Sequence, residues 1–190
     1  MKIFLTGLPG CGKSTVLLKT IEILKQKGLK VGGIITPEKR VDGKRVAFLV
    51  KDIYSGKEGI LASVNQQFGP KLGKYRINLE DFEKVALPAL EFAIKNCDLI
   101  AIDEIGKMEF FSEKFKQKVF EILNSNKKVI AVLHRNFVPQ FKRYGKIFEV
   151  TIKNRESLPE KIAELCVHNF ALHTDNFSES EVKEAYEKLS

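Results

Sequence analysis

No apolar run in this sequence is long enough to cross a bilayer, which excludes a helical membrane protein. Its three cysteines, Cys11, Cys97 and Cys166, are scattered, with no C-x-x-C spacing to suggest zinc or a redox pair. They read as reduced thiols of a cytoplasmic protein. The sequence has no internal repeat and no low-complexity linker, so 190 residues are expected to form one main domain with a substantial core. Arginine is never gathered into a block. The net charge of +8 would suit a polyanion, but the lysines are spread along the whole chain. A solvated surface is therefore favoured over a nucleic-acid site. With 44% hydrophobic and 29% charged residues, the composition is that of an ordinary globular domain. The opening Met1-Lys2-Ile3-Phe4-Leu5 runs straight into a glycine-rich stretch, which leaves no room for a signal peptide.

That stretch, GLPGCGKST from Gly7 to Thr15, fits G-x-x-x-x-G-K-S/T with Gly7, Gly12, Lys13 and Ser14 in register. Glycines let the backbone curl closely around a polyphosphate, so the N–H groups of Leu8, Pro9's neighbours Gly10 and Cys11, and the residues after them can point into one concavity. A helix beginning near Lys13 adds the positive end of its dipole. The Lys13 ammonium can reach the β- and γ-phosphates, and the Ser14 hydroxyl can ligate Mg²⁺. Cys11 is read as a passive small residue of the loop.

The remaining pattern predicts an α/β fold: a P-loop domain with a mostly parallel sheet flanked by helices and an inserted antiparallel hairpin. A helix with Val16, Leu17, Thr20, Ile21 and Leu24 on one face ends at Gly28, and Val31–Thr36 reads as a strand stopped by Pro37. The Asp42-Gly43 pair suggests a hairpin into Val46–Val50, and the stretch from Tyr54 to Tyr75 reads as irregular or short-strand material. A helix capped by Asn78 and kinked at Pro88 should follow, then a central strand Leu99–Ile102. A helix from about Glu113 to Leu123, strands Val129–Leu133 and Phe148–Ile152, and a helix from Pro159 to about Phe170 complete residues 1–172. Residues 173–190 read as a helical extension, with Ser178 and Glu181 as a capping box.

Leu99-Ile100-Ala101-Ile102 is followed by Asp103-Glu104. In a parallel sheet, a carboxylate just past the strand end lies beside the phosphate loop. Asp103 is expected to hold Mg²⁺ and Glu104 to act as general base on a water.

DEIGKMEFFS, from Asp103 through Gly106 to Ser112, resembles the signature of the nucleoside-triphosphatases first described in thermophiles, whose human relative is the cancer-related nucleoside-triphosphatase. TPEKRVDGKRVAF (Thr36 to Phe48), GKYRINLEDFEKVALPAL (Gly73 to Leu90) and VTIKNRESL (Val150 to Leu158) extend the resemblance to nearly everything between Met1 and Cys166. Ala47, Lys153 and the segment LHRNF depart from the family's usual residues, and the tail from His173 passes its usual end. The resemblance implies a P-loop domain that hydrolyses several nucleoside triphosphates to diphosphate and phosphate with Mg²⁺.

A cation beyond Lys13 would assist the charge that spreads over the γ-phosphoryl oxygens, and Arg40, Arg45 and Arg135 are candidates. Lys107 can instead pair with Glu109 across a turn. His134, at the end of the strand expected beside Asp103, can sense the γ-phosphate, and the Arg155 guanidinium can stack on a nucleobase. The expected activity is hydrolysis of nucleoside triphosphates such as ATP and GTP by a monomer. A small-molecule or nucleotide kinase and a nucleotide-dependent, nucleic-acid-associated switch are the alternatives.

Overall fold

A computed structural model of the chain describes residues 1–174. Along it, β1 (Lys2–Thr6) leads into α1 (Lys13–Gln26) and β2 (Val31–Ile35). An antiparallel section follows: β3 (Glu38–Val41), β4 (Lys44–Asp52), β5 (Glu58–Ser63), β6 (Lys71–Leu72) and β7 (Tyr75–Ile77). Then come α2 (Leu79–Asn96), β8 (Leu99–Ile105), α3 (Glu113–Asn124), β9 (Lys128–Leu133), the short α4 (Val138–Phe141), β10 (Lys146–Glu149) and α5 (Leu158–Thr174). The capping box expected at Ser178 and Glu181 lies outside the described residues.

All strands join one sheet in the order β10-β1-β9-β8-β2-β4-β5-β7-β6, with β3 on β4. The strands from β10 to β2 in that order are mutually parallel. Alternate side chains of these strands enter two cores. Phe4, Ile100, Ile102, Val129 and Ala131 pack on the face that carries α2 and α3. Ile3, Leu5, Leu99, Ala101, Ile130 and Val132 meet the apolar faces of α1 and α5 on the other. Burial on both faces is why the central strands β1, β9 and β8 are apolar through their middles, whereas β10 at the end of the sheet carries Lys146 and Glu149.

The antiparallel part is larger than a hairpin. The stretch expected to be irregular or short-strand material supplies β5, whose Leu61 and Ala62 are fully buried in the same core as Val85 and Ala86 of α2. Helix α2 opens on Asn78, whose side chain accepts from the Asp81 N–H at 3.1 Å, a cap of about 1 kcal/mol. It runs unbroken through Pro88. The last strand begins and ends earlier than the sequence suggests. Asn154 is the reason: its side chain accepts from the Thr151 N–H and donates to the Glu149 carbonyl, folding residues after Glu149 into a turn.

Candidate active site

β9 lies between β1 and β8, so the loop after β1 and the end of β8 open on the same rim of the sheet. Gly7 and Gly12 both have positive φ, +146° and +105°, and a Cβ on Gly7 would stand 2.4 Å from the Val150 carbonyl oxygen. Only glycine satisfies the loop there. Gly12 is the N-cap of α1 and offers no side chain to its first amides, so these donors remain available to an anion. Lys13 Nζ donates to the carbonyls of Gly7 and Leu8 at 3.3 and 3.0 Å, folding the loop around its own ammonium. The Cys11 side chain turns under the loop into the core shared by Leu5, Val16 and Val150.

At the end of β8 the pairing with β9 is irregular between Ile102 and Ile105, and both Asp103 and Glu104 line one cavity. A break in the ladder is a common way to re-aim side chains beside a site. Asp103 is only 4% exposed and faces the Ser14 hydroxyl. Burial pushes its carboxyl up to about 7; the Ser14 hydroxyl and Lys13 oppose this, and the neighbouring Glu104 adds to it. Glu104 is half-buried and is also raised by desolvation, with Lys13 pulling the other way.

A third acid shares this environment. Glu109 is 5% exposed, and burial, followed by the charges of Glu104 and Asp103, lifts its carboxyl well above the usual range, against hydrogen bonds from its own N–H and that of Gly106. The expected pairing of Lys107 with Glu109 is absent: Glu109 has no ion-pair partner among the described residues. The reason is local packing. Phe110 is drawn among Phe115, Phe120, Phe137 and Phe141, and this pulls the turn Glu109–Phe111 inward. Ser112 then closes the segment by accepting from the Phe115 N–H and donating to Glu83, which caps α3.

The cavity has a volume of about 650 Å³. From the loop it takes Gly7, Pro9, Gly10, Gly12, Lys13, Ser14 and Thr15, and from the far strand ends Asp103, Glu104, His134 and Arg135. Leu8 is exposed, Cys11 is beneath the loop, and Gly106 supports the carboxyls from behind, so none of these three forms its wall. Arg155 passes outside the loop, its Cδ 3.3 Å from where a Cβ on Gly12 would stand. Arg40 is not on the wall either: it is held by the Glu38 carboxylate at 2.7 Å and the Gly43 carbonyl at 2.9 Å. Its partner across the hairpin, Arg45, is on the wall, fixed by Tyr75 Oη at 3.1 Å, the face of Phe48 and Glu38. Tyr75 foremost, with Glu38, holds the Arg45 pKa above its ordinary value.

His134 Nδ1 accepts from the Asn136 N–H at 3.3 Å, which leaves Nε2 as the protonated nitrogen of the neutral ring. Burial and the nearby Lys107, Arg135 and Lys13 lower its pKa and favour that neutral form. The donor set also suits a divalent cation. Ser14 and Asp103 are two oxygen ligands beside an anion loop, and no group of three His, Cys, Asp or Glu side chains capable of holding a metal occurs among the described residues. Mg²⁺ fits such a site because it keeps several waters and takes its other ligands from phosphate.

A family described as NTPase matches residues 2–163. The nucleoside-triphosphatase THEP1 of Methanocaldococcus jannaschii is 47% identical over 162 residues, covering 85% of this chain and 95% of that protein. This chain belongs to the THEP1 nucleoside-triphosphatase family. The family resemblance extends to solved structures. THEP1 from Aquifex aeolicus superposes with a TM-score of 0.77 at 35% identity, covering 87% of this chain and 99% of that one. The human cancer-related nucleoside triphosphatase gives 0.73 at 34%, covering 88% and 97%. The THEP1 assignment makes the chain an enzyme that acts on nucleoside triphosphates. No helix among the described residues is long and apolar enough to cross a membrane.

Proposed function

We propose that this chain hydrolyses several Mg²⁺-bound nucleoside triphosphates, ATP and GTP among them, to nucleoside diphosphate and phosphate. The observation that carries the reading is Ser14, buried Asp103 and Glu104 lining one cavity with the open amides of the phosphate loop. The loop amides from Gly10 to Thr15 cradle the phosphates, and Lys13 turns from the Gly7 and Leu8 carbonyls to the β- and γ-oxygens. Ser14 and Asp103 would hold the metal. When bound, Mg²⁺ would neutralise charge on the phosphates.

Glu104 takes a proton from a water as that water's oxygen bonds to the γ-phosphorus; the bond from that phosphorus to the β–γ bridging oxygen breaks, and the nucleoside diphosphate leaves. His134 offers its Nε2–H to a γ-oxygen, and Arg135 and Arg45 supply further positive charge from the cavity wall. Arg155 beside Gly12 presents a planar group to the base, a contact that tolerates different bases. Asp103→Asn tests the metal role. It should raise the Mg²⁺ concentration needed for half-maximal turnover and lower the maximum, read from phosphate release during Mg²⁺ titration. An unchanged Mg²⁺ requirement would take Asp103 out of the metal site.

A further inference from the structure

Many of the cations behind the net charge of +8 are scattered in sequence but gathered in space. Parallel strands all begin at one end of their sheet, opposite the rim where the phosphate loop opens. At that end Lys146 opens β10, Lys2 opens β1 and Lys127 immediately precedes β9. These three strands are neighbours, with Lys146 level with Ile3 and Val129 level with Lys2. Neighbouring strands lie about 4.8 Å apart, so the three strand starts fall within roughly 10 Å of one another. The turn into β10 adds Lys142 and Arg143, and it is held against the start of β1: a Cβ on Gly145 would stand 2.2 Å from the Lys2 carbonyl oxygen.

Acids are scarce beside these cations. Between Glu121 and Glu149 the sequence has no Asp or Glu, while Lys127, Lys128, Arg135, Lys142, Arg143 and Lys146 all fall there. Asp98, at the start of β8 one strand beyond β9, accepts from the Lys30 N–H at 2.7 Å. Lys2, Lys127, Lys142 and Arg143 form no ion pair among the described residues, whereas Lys84, Lys114 and Lys118 on the helices are each paired with a glutamate. Lys2 donates to the Ser125 carbonyl and Arg143 to the Tyr144 hydroxyl, contacts that orient a charge without neutralising it. The Met1 amino group registers the positive field: burial first, then the charges of Lys2 and Lys128, lower its pKa.

Two of the cations lie on aromatic rings, Arg143 at 4.8 Å from the centre of Tyr144 and Lys146 at 5.3 Å from that of Phe148. Charge that tracks a backbone, set among aromatic faces, is what single-stranded nucleic acid takes. A lipid surface would also need apolar side chains to insert. The large apolar residues that stand exposed, such as Leu8, Val41, Phe68 and Ile152, belong to other segments.

We propose that the end of the sheet formed by Lys2, Lys127, Lys142, Arg143 and Lys146 binds the sugar-phosphate backbone of single-stranded nucleic acid. None of these five residues lines the nucleotide cavity, so the proposal stands apart from the reading of the reaction.

Fluorescence anisotropy tests it, with a labelled single-stranded oligonucleotide, made once as RNA and once as DNA, titrated with the full chain at several salt concentrations. Binding should weaken with salt at a slope of about −3 in log affinity against log salt, the value for four or five neutralised phosphates at about 0.7 each. The ratio of RNA to DNA affinity reads which sugar the surface prefers, and either preference upholds the proposal. Lys142, Arg143 and Lys146 are exposed, so Lys142→Glu/Arg143→Glu/Lys146→Glu should keep the parental thermal unfolding and phosphate release from Mg²⁺-ATP. Its affinity for the oligonucleotide should fall at least ~10-fold and its salt slope should flatten by about 2. Lys57→Glu/Lys71→Glu/Lys74→Glu changes the net charge equally at exposed positions of the antiparallel section and should cost less than about 3-fold. Equal losses in the two triple variants would reduce the effect to net charge and overturn the proposal. So would a parent that does not bind the oligonucleotide, or one that sediments with phosphatidylserine vesicles and leaves the oligonucleotide free.

Discussion

Glu104→Gln is expected to bind Mg²⁺-ATP within a few-fold of the parent and to hydrolyse it at least ~10²-fold more slowly, the scale of a lost general base. Glutamine keeps the shape of the side chain and a carbonyl oxygen, but it cannot accept the proton that the attacking water must lose. The half-buried position of Glu104 matters here, because desolvation already raises its proton affinity and so makes it a better base than an exposed carboxylate. Affinity survives because the loop amides, Lys13, Ser14 and Asp103 remain. Such an enzyme should hold its substrate. Calorimetric affinity measured beside single-turnover hydrolysis reads both quantities, and a loss of affinity equal to the loss of rate would assign Glu104 to binding instead.

Lys13→Ala should fail in both respects, with affinity for Mg²⁺-ATP and turnover reduced together and kcat/KM lower by ~10²-fold or more. The ammonium is aimed along the loop, where it donates to the Gly7 and Leu8 carbonyls, and it opposes the charge of both Asp103 and Glu104. Removing it unties the loop and raises the cost of ionising two desolvated acids. Normal turnover in this variant, measured by phosphate release over a range of nucleotide concentrations, would remove the phosphate loop from the reaction.

The loop and the strand of Asp103 were legible because each is written in local terms. Glycine and lysine at fixed spacing describe a backbone shape, and Leu99-Ile100-Ala101-Ile102 can only be a strand covered on both faces. Glu109 was not legible, since an acid two residues from Lys107 in a polar motif looks like half of a solvated pair. Its burial follows from Phe110, whose ring partners come from three later segments: Phe115 and Phe120 on α3, Phe137, and Phe141 on α4. Arg40 and Arg45 could not be separated for a related reason. They face each other across the β3–β4 hairpin, and only the tertiary placement of Tyr75 and Phe48 decides that Arg45 reaches the cavity. The wall formed by Ile35, Pro37, Phe48 and Leu72 was likewise hidden, because it depends on the stretch between Tyr54 and Tyr75 joining the sheet.

The central claim is that water is the acceptor and that the reaction depends on the metal held at Ser14 and Asp103. Incubating the purified protein with Mg²⁺ and ATP, GTP, CTP or UTP, one at a time and with no other acceptor, and separating the products tests it most directly. The account predicts equal amounts of nucleoside diphosphate and free phosphate from more than one nucleotide, abolished by chelating the metal. Phosphate that appears only after a hydroxyl compound is added, and that is found attached to that compound, would contradict it and make the enzyme a kinase.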